Sequence, residues 1–85
     1  MNKIYKYAIP EVSGLELPKN ARILKVGLQG GTLHCWALLS ADEFATEKRY
    51  FLVVGTGHEF NADGLSYIDT YFEGPFVWHV FEKER

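Results

Sequence analysis

Apolar and polar residues alternate with a period of two along most of this chain, and no stretch repeats with the 3.6-residue period of an amphipathic helix. The first run, Ile4-Tyr5-Lys6-Tyr7-Ala8-Ile9, sets Tyr5, Tyr7 and Ile9 on one face and stops at Pro10. A second, Leu15-Glu16-Leu17, closes on Pro18. Proline donates no ladder hydrogen bond, so this strand is expected to be brief or to lie at an edge.

The strongest local signal is RILKVGLQ-GG-TLHCWALLS, two β-type runs joined by Gly30-Gly31. Two glycines supply the positive φ angles of a tight type I′ or II′ turn, which predicts a hairpin with Gln29 facing Thr32. Continued without interruption, that register sets Leu28 opposite Leu33, Val26 opposite Cys35 and Leu24 opposite Ala37, a wholly apolar face. The reverse face is mixed: Gly27 opposite His34, Lys25 opposite Trp36, Ile23 opposite Leu38. A one-residue slip would scatter the apolar set, so the pattern itself fixes the pairing.

Residues 41 to 47, ADEFATE, form a polar interval with room for one helical turn capped by Ser40 or Asp42. Lys48 to Val54 then reads as a strand that is apolar on both sides from Tyr50 onward, the mark of a central strand. After the turn-rich GTGHEFNADG segment, alternation resumes over Leu65 to Phe72, and Glu73-Gly74-Pro75 leads into Phe76 to Phe81. The expected architecture is all-β or nearly so: five or six strands in one small antiparallel meander, closed as a barrel or folded into a two-layer sandwich, with at most one short helix. No internal repeat is legible.

Composition narrows this further. At 85 residues the chain is a single domain over 1–85. A domain of this size buries only roughly 60 to 65% of its unfolded surface, so self-association would help it. Hydrophobic residues make up 47% and aromatics 15% of the chain, more aromatic bulk than one small core hides. The net charge of −2, from nine Lys and Arg against eleven Asp and Glu, gives no electrostatic footprint for nucleic acid. One cysteine, no signal-peptide pattern and no long apolar run predict a soluble cytoplasmic protein without disulfides or membrane contact.

Candidate chemistry is sparse. His34, His58 and His79 lack any metal-ligand spacing, and Cys35 falls on the apolar hairpin face, where a buried thiol is inert. No nucleophile elbow surrounds Ser40, Thr56 or Ser66, so the expectation is a protein with no catalytic residue, metal or cofactor, and not an enzyme. His79 falls near Thr70, and Tyr71 near Trp78, if the last two strands pair tightly. Gly55-Thr56-Gly57-His58 has two readings: a bend that requires glycine, or a nest of backbone amides for phosphate or carboxylate with Thr56 and His58 adding donors.

Cys35-Trp36-Ala37-Leu38, Thr46-Glu47-Lys48-Arg49, Val54-Gly55-Thr56-Gly57-His58, Tyr67-Ile68 and Val77-Trp78-His79-Val80-Phe81-Glu82 occur in an order and spacing that cover nearly the whole chain. In these segments the chain resembles a family of short bacteriophage and prophage proteins, a domain of unknown function that typically ends close to VWHVFE. The family pattern carries prolines in the 41 to 46 interval and just after His58, where this chain has none. The resemblance implies a small phage accessory protein acting in the host cytoplasm, and by analogy an anti-defence role.

The leading expectation is sequestration of a nucleotide-like host immune signal at a subunit interface of a homo-oligomer. Gly55, Thr56, Gly57 and His58 would meet phosphate, Trp36 or Trp78 would stack, Lys25 or Arg49 would supply charge, and His79 would stand beside them. The alternative is direct inhibition of a host defence protein through an exposed sheet face or edge, and the third is a small hydrolase of such a signal.

Overall fold

The computed structural model describes residues 1–85 and contains eight strands and no helix. They are β1 (Asn2–Ala8), β2 (Leu15–Pro18), β3 (Arg22–Gln29), β4 (Thr32–Ser40), β5 (Thr46–Arg49), β6 (Phe51–Gly55), β7 (Leu65–Glu73) and β8 (Phe76–Lys83). Three antiparallel sheets result, in the orders β1-β4-β3, β2-β5 and β6-β8-β7, and none closes into a barrel. The polar interval 41 to 47 holds a turn where one helical turn was expected. Glu43 N–H donates to Ser40 O and Asp42 N–H to Ser40 Oγ, after which Thr46 already begins β5.

The Gly30-Gly31 hairpin forms as the alternation requires, with φ of 60° and 78° at the two glycines and Gln29 opposite Thr32. Its register holds through Lys25–Trp36 and then changes. A β-bulge at Leu24 pairs Ile23 with Ala37 and Arg22 with Leu38, so the expected Leu24–Ala37 and Ile23–Leu38 pairs do not exist. The extra residue turns Ile23 toward the core and leaves Leu24 outside, a change of face that period-two reading cannot foresee.

The β7–β8 hairpin repeats this design residue for residue. Glu73 opposite Phe76 corresponds to Gln29 opposite Thr32, Cys35 corresponds to His79, and the bulge falls at Ile68, the counterpart of Leu24. Each hairpin also takes one more strand against its second member, β1 on β4 and β6 on β8. The fold is therefore two like-built three-stranded sheets. They meet where β3 passes β7, and the separate β2–β5 pair is joined to β8 through Arg49 and Glu82.

Between the sheets lie Ile9, Leu15, Leu17, Ala21, Val26, Cys35, Ala37, Leu39 and Val80. At the β3–β7 seam both bulges interrupt the ladder, and the side chain of Asp69 substitutes for a neighbouring strand: its Oδ2 accepts from Val26 N–H at 2.8 Å and from Lys25 Nζ at 3.1 Å. The molecule is flat, 41 × 30 × 19 Å.

One strand departs from its expected position. Tyr50 to Val54 reads as central, yet β6 pairs with β8 alone and is an edge. Its apolar residues are not all covered: Leu52 is 42% and Val53 37% exposed.

Candidate functional site

The Gly55-Thr56-Gly57-His58 segment leaves β6 in a tight turn closed by His58 N–H donating to Gly55 O at 3.1 Å. Gly57, with φ of 88°, takes the third position, where a type II turn needs a positive φ. Gly55 is required for space: a Cβ there would lie 2.9 Å from His58 Cε1 and 3.1 Å from Trp78 Cζ3. Thr56 N–H donates to Val77 O, so the amides of both Thr56 and His58 are already engaged. The loop is thus a corner that needs its glycines, the first of its two readings, and the Thr56 and His58 amides are not free to join a nest.

The side chains nevertheless converge. Thr56, His58 and His79, with Phe60, Tyr67 and Phe81, surround one hollow of about 300 Å³ on the outer face of the β6-β8-β7 sheet. His79 uses both ring nitrogens: Nε2 lies 2.7 Å from Thr56 Oγ1 and Nδ1 lies 3.0 Å from Thr70 Oγ1. Thr70 Oγ1 is in turn 2.6 Å from Tyr67 Oη. Thr56 Oγ1 also reaches Val77 O, so the Nε2–H tautomer of His79 gives every donor an acceptor: Tyr67 O–H donates to Thr70, Thr70 O–H to Nδ1, Nε2–H to Thr56 and Thr56 O–H to Val77 O. His58 instead packs its ring edge-on against Trp78, centroids 6.5 Å apart. No Lys, Arg, Asp or Glu lines the hollow.

The other residues expected at the site lie elsewhere. Trp36 stands on the β1-β4-β3 sheet, opposite Lys25 and Lys6 and 6.4 Å from the His34 ring. Lys25 is paired with Asp69. Arg49 corrects its expected role outright: it is 4% exposed, its Nε and Nη2 bond the two carboxylate oxygens of Glu82 at 2.6 and 2.7 Å, and Nη1 bonds Ala21 O. The Glu82 bonds also hold its pKa above the ordinary value, so Arg49 is a structural cation with no charge to offer a ligand. Glu82, missed in the sequence, had a signal there. It follows Trp78 and Val80 on the inward face of β8, and a carboxylate on such a face needs a buried partner.

A larger concavity, about 610 Å³, opens between the two sheets. Its floor includes Leu28, Leu33, Tyr71 and Trp78, and one wall is the consecutive run Phe51-Leu52-Val53. Side chains of a strand point alternately to opposite faces, so three consecutive residues can line one cleft only when the cleft runs along the strand's edge. Glu11 and Glu73 are its charged residues, and no cation lines it. Trp78 Nε1 donates to Glu73 Oε1 at 3.0 Å.

Fold and site together define a small all-β domain of two like-built sheets, with an aromatic hollow on one face and an edge-lined cleft between the layers. The chain belongs to the family described as domain of unknown function DUF7352, whose model matches residues 1–85. No curated protein and no solved structure matches it.

Proposed function

We propose that this chain is a binding protein that acts by direct contact with a partner polypeptide. The observation that carries this reading is surplus exposed surface. The chain exposes 5817 Å², against about 5,100 Å² for a compact monomer of its mass, and the excess of roughly 700 Å² approaches one partner's share of a standard interface. Its radius of gyration, 13.2 Å against about 12 Å for this length, agrees. Phe72, Phe76, Tyr67 and Ile4 are all more than half exposed, and side chains of this kind dominate contact energies. The resemblance to short phage proteins supports placing that contact in a host cell's cytoplasm as inhibition of a defence protein.

A second reading, capture of a nucleotide-like signal, rests on the hollow around Thr56, His58 and His79, where Phe60, Tyr67 and Phe81 would stack a base. Without Lys or Arg in that hollow, phosphates would meet only hydroxyl and imidazole donors, which ranks this reading second. A hydrolase reading would rest on His58 and His79 as its proton-transfer groups, and it ranks third.

Native mass spectrometry of the protein isolated from defence-expressing host cells separates the readings. A retained polypeptide is the expected result. A retained nucleotide with no polypeptide would replace the first reading with the second.

A further inference from the structure

The edge strand β6 is bare along one side. Lys83 N–H donates to Tyr50 O and Thr56 N–H to Val77 O. Alternation in an antiparallel ladder therefore turns the main-chain groups of Tyr50, Leu52, Val54 and Thr56 toward β8, and those of Phe51, Val53 and Gly55 away from it. On that outer side β2 pairs with the chain as far as Arg49, and Lys19 N–H bonds Ala45 O. Then the ladder stops. Gly14 lies so close to the side chains of Lys48 and Tyr50 that a Cβ would sit 2.9 Å from each, and no residue before it pairs with β6.

The cleft runs along the side thus left unpaired. Another wall of it is formed by Ile9-Pro10-Glu11, and Ile9 N–H donates to Leu33 O. Pro10, with no N–H, leaves that wall unable to extend a ladder. Only β6 is open to pairing. Edge strands in natural proteins are usually guarded by charge, proline or a bulge. β1, the other outer edge, carries Lys3 and Lys6, whereas Tyr50 to Gly55 carries no guard of any kind.

We propose that this cleft takes an extended segment of a partner polypeptide by strand addition to β6. Every second residue of the segment faces inward, and along that inward set apolar residues meet Leu28, Leu33, Tyr71 and Trp78 while cationic residues meet Glu11 and Glu73. The inference rests on the reading of the chain as a polypeptide-binding protein and assigns the place and chemistry of contact. Main-chain bonds to Phe51 and Val53 supply pairing, and the two unopposed carboxylates select sign.

The test uses the full chain and a capped seven-residue peptide in which Lys and Val take turns at every second position with Ser between them, followed by amide hydrogen exchange. Adding the peptide is expected to slow the Phe51 and Val53 amides at least about tenfold. In a Trp36→Phe background it is also expected to shift the emission of Trp78. A Glu-for-Lys version of the peptide is expected to do neither, and Glu11→Lys to weaken the Lys peptide about fivefold.

Equal effects from the acidic peptide, or no slowing at Phe51 and Val53 with the basic one, would overturn the proposal. Protection of those amides on concentrating the chain alone would also overturn it, giving the edge to a second copy. A host polypeptide that binds while both amides still exchange freely would sink this cleft but leave the contact reading standing.

Discussion

Arg49 and Glu82 face each other in a two-bond fork, Nε to Oε2 at 2.6 Å and Nη2 to Oε1 at 2.7 Å, both side chains almost wholly enclosed. The pair joins β5 to β8, and the bond from Arg49 to Ala21 O brings in the chain before β3. Removing one member strands a buried charge, so Glu82→Gln or Arg49→Met is expected to cost about 3–5 kcal/mol, measured by urea unfolding. The double replacement Arg49→Met with Glu82→Leu is expected to recover much of that loss. Additive losses in the double variant would refute the clamp.

Asp69 governs the seam between the sheets. Burial pushes its pKa up, but the Val26 and Thr70 amides and Lys25 together outweigh burial and hold it below the ordinary carboxylate value. A carboxyl depressed on folding adds stability that is complete above its unfolded pKa and lost as pH falls through the folded one. Wild-type stability should therefore decline below about pH 4, with a shallower decline in Asp69→Asn. At pH 7 the variant is expected to be about 1–3 kcal/mol less stable. Superimposable pH profiles would remove Asp69 from the seam.

Cys35 is fully enclosed, and burial pushes its thiol up to about 11, with Glu82 adding to the rise against the opposing pull of Arg49. At pH 8 the folded chain should resist iodoacetamide and react only as it unfolds, so the labelling rate should follow denaturant concentration as global unfolding does. Rapid labelling of the native state would show that the core opens locally.

The corner after β6 allows a double test. Gly55→Ala should destabilise by about 1–3 kcal/mol through its clash with His58 and Trp78, and adding His58→Ala should relieve part of this. Gly57→Ala should cost about 1 kcal/mol for its positive φ, with no relief from His58→Ala. His58→Ala alone should leave the fold intact, since no ring hydrogen bond joins it to its surroundings as such bonds join His79. If circular dichroism and thermal unfolding show otherwise, His58 is part of the fold.

Period-two alternation and glycine-marked turns made much of the fold legible before any coordinates. They carried the all-β class, the Gln29–Thr32 turn, the Val26–Cys35 and Lys25–Trp36 pairs and the meeting of Tyr71 with Trp78. The nearness of His79 to Thr70 was legible on the condition that the strands flanking Glu73-Gly74-Pro75 pair tightly, and the structure meets that condition with Glu73 opposite Phe76. All of these are local: each depends on residues joined by a short loop, where pattern and turn chemistry leave few alternatives.

What tertiary structure decided is everything that depends on which strands lie beyond a hairpin. The two bulges, silent in the alternation, let β3 and β7 meet through Asp69. The apolar run Tyr50 to Gly55 looks the same in sequence whether it is flanked on both sides or one, and only the end of the β2 ladder at Leu15 makes it an edge. Arg49 reads as a spare cation until Glu82 arrives from a strand far along the chain. A side chain's face follows from its neighbours in sequence, but its partner follows from the packing of distant segments, and that is where this protein's cleft and its buried ion pair arise.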